Sequence, residues 1–253
     1  MQPLSVVIIT FNEERNIARC IQSVVDIADE IVVVDSYSTD RTQSICEQFD
    51  VRFIQHKWPG YGAQKHYAVL QASHNLILSL DADEAPSQQL CDSIKAIKHT
   101  RDADGYTMNR RTNYCGKWIN HCGWYPDRKL RLFDRLKGQW QIVAIHEKFE
   151  MEKGALVKHL NGDLLHYSYY TSKDHYKQIE NFSKIAAAEL YQSKKYVRLP
   201  FIYLKVAAQF LKTWLLRKGF LDGRMGWLIA KRSAYATYRK YILLKNLHEG
   251  KKL

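Results

Sequence analysis

Two carboxylates separated by one residue, Asp81 and Asp83, follow the apolar run 76–80. In an extended chain, side chains at positions i and i+2 leave the same face of the backbone. Such a pair can hold one hard divalent cation, Mg²⁺ or Mn²⁺, which binds a diphosphate and stabilises a departing phosphate oxygen. A competing interpretation is that Asp83 and Glu84 only form a solvated turn or begin the next helix.

Two further acidic clusters lie in the first third of the chain, each at the end of a short apolar run. One occupies residues 10–13 and ends the run 4–10, and the other occupies residues 35–40 and follows the run 31–34. If these runs are neighbouring parallel strands, their carboxyl ends meet at one edge of the sheet, where ligands bind in such folds. Three converging clusters favour a binding site over a solvated turn.

The elements that must position these clusters alternate between strand and helix through the first hundred residues. Apolar runs typical of buried strands cover 4–10, 31–34, 51–54 and 76–80, and helical stripes of apolar residues fall within 17–25, 42–49, 62–72 and 90–97. This alternation predicts βαβ units and a mostly parallel sheet, that is, an α/β fold. Neither a phosphate-binding GxxxxGK[ST] loop nor a dinucleotide-binding GxGxxG follows a strand.

Charge is distributed unevenly along the 253 residues, whose net charge is +12. The first hundred residues carry 8 basic and 13 acidic side chains, whereas residues 200–253 carry 12 basic and 2 acidic ones. A nucleic-acid-binding protein is excluded by the acidic first third and by the lack of any motif of that class. The pattern indicates an acidic catalytic part followed by a basic tail.

Cysteine content and the first residues favour a reducing, cytoplasmic setting. The five cysteines are odd in number and form no CxxC pair, and no basic stretch precedes the first apolar run. A zinc site at Cys115, His121 and Cys122 is an alternative, although a second ligand pair is missing.

The ordered motifs of the first hundred residues resemble the family 2 glycosyltransferases. The motifs are the run 4–10 with the cluster after it, residues 32–42, and residues 81–84. This resemblance implies a GT-A fold, a nucleotide-sugar donor and a divalent metal. By the resemblance, Asp83 is the main metal ligand, and the nucleotide-sugar pocket contains Thr10, Asn12, Glu13, Asp35, Asp40, Lys65 and Asp81. Lys65 could instead be an ordinary lysine on a helix surface.

Later motifs resemble a narrower group, the WaaE/KdtX subfamily of lipopolysaccharide-core glucosyltransferases. They are residues 124–133, residues 138–147, residues 164–167 and residues 219–223. The resemblance implies transfer of glucose from UDP-glucose onto an inner-core heptose, with inversion at the anomeric carbon.

The resemblance leaves the catalytic base open, because His146 and Glu147 stand where many family 2 enzymes have an acidic pair. Glu147 is the preferred candidate and Asp127 the second, and an ordinary surface glutamate is the alternative for Glu147. His166 is a candidate second metal ligand, since imidazole suits manganese-like ions. Acceptor phosphates would meet the basic residues Arg128, Lys129 and Arg131.

The tail 199–253 alternates apolar and basic residues at helical spacing, and no stretch of 18 residues is free of charge. Basic amphipathic helices with tryptophan suit the surface of an anionic membrane. Alternatively, Trp214, Phe220 and Trp227 pack the tail onto the catalytic part. We therefore expect a GT-A catalytic domain over 1–198, with a nucleotide-sugar half of about 1–100 and an acceptor half of about 101–198, and a peripheral membrane-binding tail on the inner face of the bacterial inner membrane.

Two other functions remain open at this point. A metal-dependent nucleotidyltransferase also builds an α/β site around a metal and a nucleotide, but it is expected to carry a Gly-rich, basic loop after the first strand. A membrane-associated protein that binds a nucleotide sugar without catalysis is the other alternative.

Overall fold

A computed structural model of the chain describes residues 1–142 and 147–251. The chain divides into two compact units. The first contains Met1–Arg110 and Asp127–Tyr167, and the second contains Arg111–Pro126 and Ser168–Leu253. Residues 143–146, which include His146 of the predicted base region, lie outside the described residues.

The first unit begins with four parallel strands, in the order β3-β2-β1-β4. Their bounds are β1 (Leu4–Thr10), β2 (Glu30–Asp35), β3 (Arg52–Gln55) and β4 (Leu76–Asp81). The connecting helices are α1 (Ile17–Gln22), α2 (Thr42–Cys46) and α3 (Tyr61–Gln71). Every residue of β1 is buried, as expected for a central strand that reads as one apolar run.

The second half of this sheet is antiparallel and continues in the order β4-β8-β6-β11-β5. The elements are β5 (Glu84–Pro86), α4 (Gln88–His99), β6 (Gly105–Tyr114), β8 (Asp127–Asp134) and β11 (Val157–Tyr169), with β7 (Lys117–Trp118) paired to the end of β6. A separate pair contains β9 (Gly138–Trp140) and β10 (Phe149–Met151). The predicted fold class, α/β, is confirmed.

The core of the first unit lies on both faces of the sheet, because successive side chains of a strand point to opposite faces. Val6 and Ile8 of β1 pack on one face with α1 and α4, whereas Val7 and Ile9 pack on the other with α3. Each fully buried aliphatic side chain contributes about 1.5–3 kcal/mol. These two layers hold the strand ends in register.

The second unit is mainly helical. Its helices are α5 (Ser172–Gln192), α6 (Leu199–Leu211) and α7 (Gly223–His248), with a π-helical turn at Lys212–Leu216 and a 3₁₀ turn at Gly219–Asp222. Thr171 begins α5 with a capping box to Asp174. Ala187 of α5 packs with Leu243 and Leu244 of α7. Because of this packing, α5 groups with the later helices in the second unit. The catalytic domain over 1–198 and the tail over 199–253 stay predictions.

Within the described part of the chain, no helix has both the length and the apolar character required to cross a membrane.

Candidate active site

The ends of β1, β2 and β4 bring the three acidic clusters to one edge of the sheet. Thr10 pairs with Asp35 across β1 and β2, and Ile9 pairs with Asp81 across β1 and β4. Carboxyl ends of parallel strands form the ligand-binding edge in open α/β sheets. The expected convergence of the clusters is therefore observed.

The loops after β1 and β2 are joined by hydrogen bonds through side chains of the predicted nucleotide pocket. Asn12 donates from its backbone N–H to Ser38 Oγ at 2.7 Å, and its Oδ1 accepts from the backbone N–H of Thr39 at 2.8 Å. Asp35 is buried, and its Oδ2 accepts from the backbone N–H of Ser38 at 2.8 Å. These contacts shape the loop and leave Asn12 exposed at its surface.

Asp40 also serves the loop geometry. Its Oδ1 accepts from the hydroxyl and the backbone N–H of Thr42 at 2.6 and 3.0 Å, and its Oδ2 accepts from the backbone N–H of Glu14. Burial acts to raise the pKa of Asp40, but the hydrogen bonds from Thr42 and Glu14 outweigh it and lower the pKa. Direct nucleotide contact by Asp35 and Asp40 stays a prediction, because the structure shows both carboxylates bound to the chain itself.

Glu13 lies deeper, at the end of β1. Burial raises its pKa from 4.5 to about 7, against the lowering effect of the hydrogen bond from Asn16, and the charges of Asp83, Asp40 and Asp81 add to the increase. Burial is therefore the main cause of the raised pKa of Glu13, and its acidic neighbours reinforce it. Thr10 is buried beside it.

Asp81 is held between two buried cations. Lys65 Nζ lies 3.0 Å from its Oδ1, and Arg131 Nη2 lies 2.7 Å from its Oδ2. Burial acts to raise the pKa of Asp81, but the charges of Lys65 and then Arg131 hold that pKa well below its usual range. Asp81 is therefore ionised. Its contact with the nucleotide sugar stays a prediction, and the structure adds a second role, in which Asp81 binds Lys65 and Arg131.

Glu84 is a site residue for which the sequence analysis proposed no chemistry. It is buried on β5, its Oε1 accepts from Arg131 Nη2 at 2.9 Å and lies 3.4 Å from Arg110 Nη1, and its Oε2 accepts from the backbone N–H of Asp81 at 3.1 Å. The interpretation in which Asp83 and Glu84 begin a helix is wrong, since the next helix begins at Gln88 with Ser87 as its cap. The signal for Glu84 was its place directly after the acidic pair.

Arg131 was predicted to bind acceptor phosphates, and the structure corrects this. Its side chain is 5% exposed and Nη2 bridges Asp81 and Glu84, so it positions the acidic loop from within the sheet. Alternation along β8 explains the difference, because neighbouring strand positions face opposite sides. Arg128 is exposed, and its acceptor role stays a prediction.

Asp127, the second candidate for the base, forms ion pairs with Arg110 of the neighbouring strand β6 and with Lys129 of its own strand β8. Arg110 donates to its Oδ2 from Nε and Nη2 at 3.0 and 2.8 Å, and Lys129 lies 3.1 Å from its Oδ1. Both carboxylate oxygens are thereby engaged. Lys129, one of the predicted phosphate contacts, is used in this ion pair.

Glu147 lies against the first half of α3, where it is approached by Gly62 and Lys65. Lys65 Nζ donates to Glu147 Oε1 at 2.8 Å, although the lysine side chain itself is only 2% exposed. A Cβ on Gly62 would lie 2.1 Å from the carbonyl oxygen of Gln141 and 3.4 Å from Glu147 Cβ, so only glycine permits this approach. The interpretation of Lys65 as a surface lysine is wrong: it joins Glu147 to Asp81.

Trp140 covers the same two cations. The Nζ atom of Lys65 lies 5.1 Å from its ring centroid and the guanidinium carbon of Arg131 lies 5.9 Å away. Within this distance a cation is attracted by the aromatic face. Trp140 is buried and screens the ion pairs from water on that side.

Asp83 and His166 are brought together as predicted, with Nε2 3.1 Å from Oδ2. The pairing of β11 with β5 places His166 opposite Glu84. A carboxylate oxygen and an imidazole nitrogen at this distance are ligands that Mn²⁺ accepts, so the pair fits a divalent cation as two ligands. Among residues 1–142 and 147–251, no group of three or more His, Cys, Asp and Glu side chains is arranged to hold a metal.

The alternative zinc site is therefore not observed among the described residues. His121 and Cys122 contact Asp222 instead, with His121 Nδ1 3.2 Å from its Oδ1 and the Cys122 thiol 3.8 Å from its Oδ2. Burial and then the charge of Asp222 raise the pKa of the Cys122 thiol to about 12, which disfavours the thiolate that zinc requires. All five cysteines are free.

Comparison with known proteins finds a family and several relatives that this chain is similar to. The model of the family described as glycosyl transferase family 2 matches residues 5–159. LpsC of Rhizobium meliloti (strain 1021), a lipopolysaccharide core biosynthesis glycosyltransferase, is 28% identical over 255 residues, which are 95% of this chain and 94% of that protein. An uncharacterized glycosyltransferase of Rickettsia typhi is 29% identical over 98% of this chain and 88% of its own length. Of solved structures, S. aureus TarS 1–349 is similar at 15% identity with a TM-score of 0.48, over 99% of this chain and 92% of TarS 1–349.

Glu13 makes the stability of the protein depend on pH. Because its folded pKa is raised from 4.5 to about 7, the folded state binds the proton more tightly than the unfolded chain, and ionisation costs stability as pH rises through this interval. Glu13→Gln is expected to increase the free energy of unfolding by up to about 3 kcal/mol at pH 8 and to change it little at pH 4.5. Urea denaturation in EDTA at both pH values measures this, and an equal effect at the two values would contradict it.

Removal of Lys65 leaves Asp81 and Glu147 without their shared cation. Lys65→Met is expected to lower the free energy of unfolding by about 2–4 kcal/mol, whereas Lys65→Arg retains the charge and loses less. Adding Glu147→Gln to Lys65→Met should recover part of the loss, because one unpaired carboxylate is removed with it. Urea denaturation of the wild type, Lys65→Met, Glu147→Gln and the double variant measures the coupling, and strictly additive losses would show that the pair is not coupled.

Proposed function

This chain belongs to glycosyltransferase family 2, and we propose that it transfers glucose from UDP-glucose onto an inner-core heptose of lipopolysaccharide, with inversion at the anomeric carbon. The observation that carries the proposal is the convergence of Asp81, Asp83 and Glu147 at the carboxyl edge of the parallel strands. The near full-length relationship to LpsC supports the acceptor class. Family membership sets the nucleotidyltransferase alternative aside.

The donor side of the site is the paired loops after β1 and β2. Asn12, exposed on a loop that Ser38 and Thr39 hold in place, offers an amide to a nucleoside. Thr10, which is buried, and Glu13, which is half-buried, flank this loop position in the chain. This surface suits the nucleoside half of a UDP-sugar, while the diphosphate extends toward Asp83.

Asp83 and His166 would hold a Mg²⁺ or Mn²⁺ ion, which supplies positive charge to the diphosphate. The neighbouring cations do not replace that ion, because Lys65 and Arg131 are already neutralised by Asp81, Glu84 and Glu147. A bound cation would also offset the charges of Asp83, Asp40 and Asp81, which add to the effect of burial in raising the pKa of Glu13. The donor set thus fits the predicted cofactor.

The reaction requires one base and one leaving group. Glu147 accepts the proton of the acceptor hydroxyl as that oxygen forms a bond to the anomeric carbon of glucose. The bond between this carbon and the diphosphate oxygen breaks on the opposite face, so UDP leaves and the configuration inverts. Lys65 orients Glu147 before the proton arrives, since its Nζ donates to one carboxylate oxygen and leaves the other for the acceptor.

The second unit carries the proposed contact with an anionic membrane, on the inner face of the bacterial inner membrane. Large apolar side chains are exposed from α6 to the start of α7, and they include Phe201, Leu204, Leu211, Leu215, Leu216 and Leu221. Basic side chains lie among them, at Lys205, Lys212, Arg217 and Lys218. Apolar insertion together with cationic attraction is the combination that binds such surfaces, and it places the enzyme beside a lipid-anchored acceptor.

Substitution of Asp83 tests the metal and donor assignment. Asp83→Ala is expected to abolish manganese-dependent binding of UDP and to lower transfer by at least about 10²-fold, a loss comparable to that of a major electrostatic contact in the transition state. Titration calorimetry with UDP, with and without Mn²⁺, and a transfer assay measure the two effects. Asp92→Ala, an exposed acid on α4, serves as the control, and turnover by Asp83→Ala at the wild-type rate would refute the assignment.

Membrane association depends on the exposed apolar side chains of the second unit. Leu204→Ser and Leu216→Ser replace side chains that are 65% and 81% exposed, so the fold should tolerate them. Together they are expected to weaken co-sedimentation with phosphatidylglycerol vesicles by about tenfold, and added salt should weaken it further.

The matched control for the vesicle experiment is Leu136→Ser, because Leu136 is equally exposed but lies in the first unit. If vesicle binding is unchanged in the Leu204 and Leu216 variants, the membrane proposal is wrong and the tail only packs within the protein. An equal reduction by Leu136→Ser would lead to the same conclusion. Packing among Trp214, Phe220 and Trp227 already occurs within the second unit.

A further inference from the structure

An exposed aromatic pair stands at the entrance to α3 and has no part in the chemistry described above. Trp58 is 42% exposed and Tyr61 is 49% exposed, and their ring centroids lie 4.7 Å apart with an angle of 90° between the planes. Burying two such large rings would be favourable, and an edge-to-face pair keeps its geometry while it presents a face to solvent.

The segment that carries the pair is held from both sides. His56, directly after β3, stacks on Tyr67 of α3 at 3.7 Å, and its Nδ1 lies 2.7 Å from Gln64 Oε1. Between them the chain turns at Gly60, whose φ of 112° is disfavoured for any other residue. The pair is therefore preorganised for a ligand and does not need to be ordered by it.

The pair adjoins the candidate base. Tyr61 precedes Gly62, the residue that approaches the backbone of Gln141 and Cβ of Glu147, and Lys65, one helical turn later, donates to Glu147. Burial raises the pKa of Tyr61, and the charges of Asp81 and Glu147 raise it further, which agrees with a hydroxyl group near the acidic edge.

We propose that Trp58 and Tyr61 form the platform on which the ring of the acceptor sugar rests. The apolar C–H face of a pyranose covers an aromatic ring, while its hydroxyl groups remain free for polar partners such as Glu147. This inference rests on the proposed function, because it takes Glu147 as the group that receives the acceptor proton.

The sugar that rests on Trp58 and Tyr61 is the acceptor and not the donor, because the two rings lie beside the candidate base. A base must lie within hydrogen-bond reach of the hydroxyl that it deprotonates, so the sugar beside Glu147 is the acceptor. The nucleoside binds at the loops after β1 and β2, which Asn12 and Ser38 form. Tyr61 begins α3, whose Gly62 and Lys65 approach Glu147, so the pair stands next to the candidate base.

Binding of a deacylated, heptose-containing core oligosaccharide to the full chain tests the platform without requiring turnover. Trp58→Ala and Tyr61→Ala are each expected to raise the dissociation constant, measured by saturation-transfer NMR titration, by about five- to tenfold. Trp58→Phe and Tyr61→Phe should retain most of the affinity, because an aromatic face remains. Leu70→Ala, an exposed residue of the same helix, should leave it unchanged.

Titration calorimetry with UDP and Mn²⁺ is carried out on the same variants, and the affinity for UDP should stay within twofold of the wild type. Unchanged oligosaccharide affinity in both alanine variants, or an equal loss of UDP affinity, would overturn the platform. Absence of oligosaccharide binding by the wild type would overturn it as well. Absence of sugar transfer by a wild-type chain that still binds the oligosaccharide through these rings would instead refute the proposed function alone.

Discussion

The active edge of this protein depends on buried ion pairs between two cations and three carboxylates. Lys65 binds Asp81 and Glu147, and Arg131 binds Asp81 and Glu84, with distances of 2.7 to 3.0 Å. Charges withdrawn from water are costly unless each has a close partner, so none of these side chains can be changed alone without penalty. The pairing fixes the three carboxylates in position at this edge of the sheet.

Arg131 and Lys65 have different structural roles because Arg131 lies on β8 and Lys65 lies on α3. Arg131 reaches the acidic loop from β8, so it fixes the side chain of Asp81, the last residue of β4, against the neighbouring strand. Lys65 reaches it from α3 and extends the same network to Glu147. Asp81, at the start of the loop that contains the proposed metal ligand Asp83, is thereby joined through Lys65 to Glu147, the proposed base.

The negative potential at this edge has a visible consequence in the pKa of Glu13, which burial and its acidic neighbours raise to about 7. Lys65 and Arg131 neutralise Asp81 but leave Asp83 with His166 as its partner. A divalent cation with its diphosphate would balance that remaining charge. Binding of the donor and stability of the loop are therefore expected to support one another.

Several features followed from the sequence by itself: the alternation of strands and helices, the placement of acidic residues after β1, β2 and β4, and the resemblance to family 2. Local periodicity and composition determine these, because each depends on residues close together in the chain. The partners of each charge were decided only by the tertiary structure. Lys65 and Glu147 are 82 positions apart, and Arg131 and Asp81 are 50 apart. Whether such residues meet, and whether Arg131 is buried or faces the acceptor, depends on strand register and on the packing of α3, which no local pattern encodes.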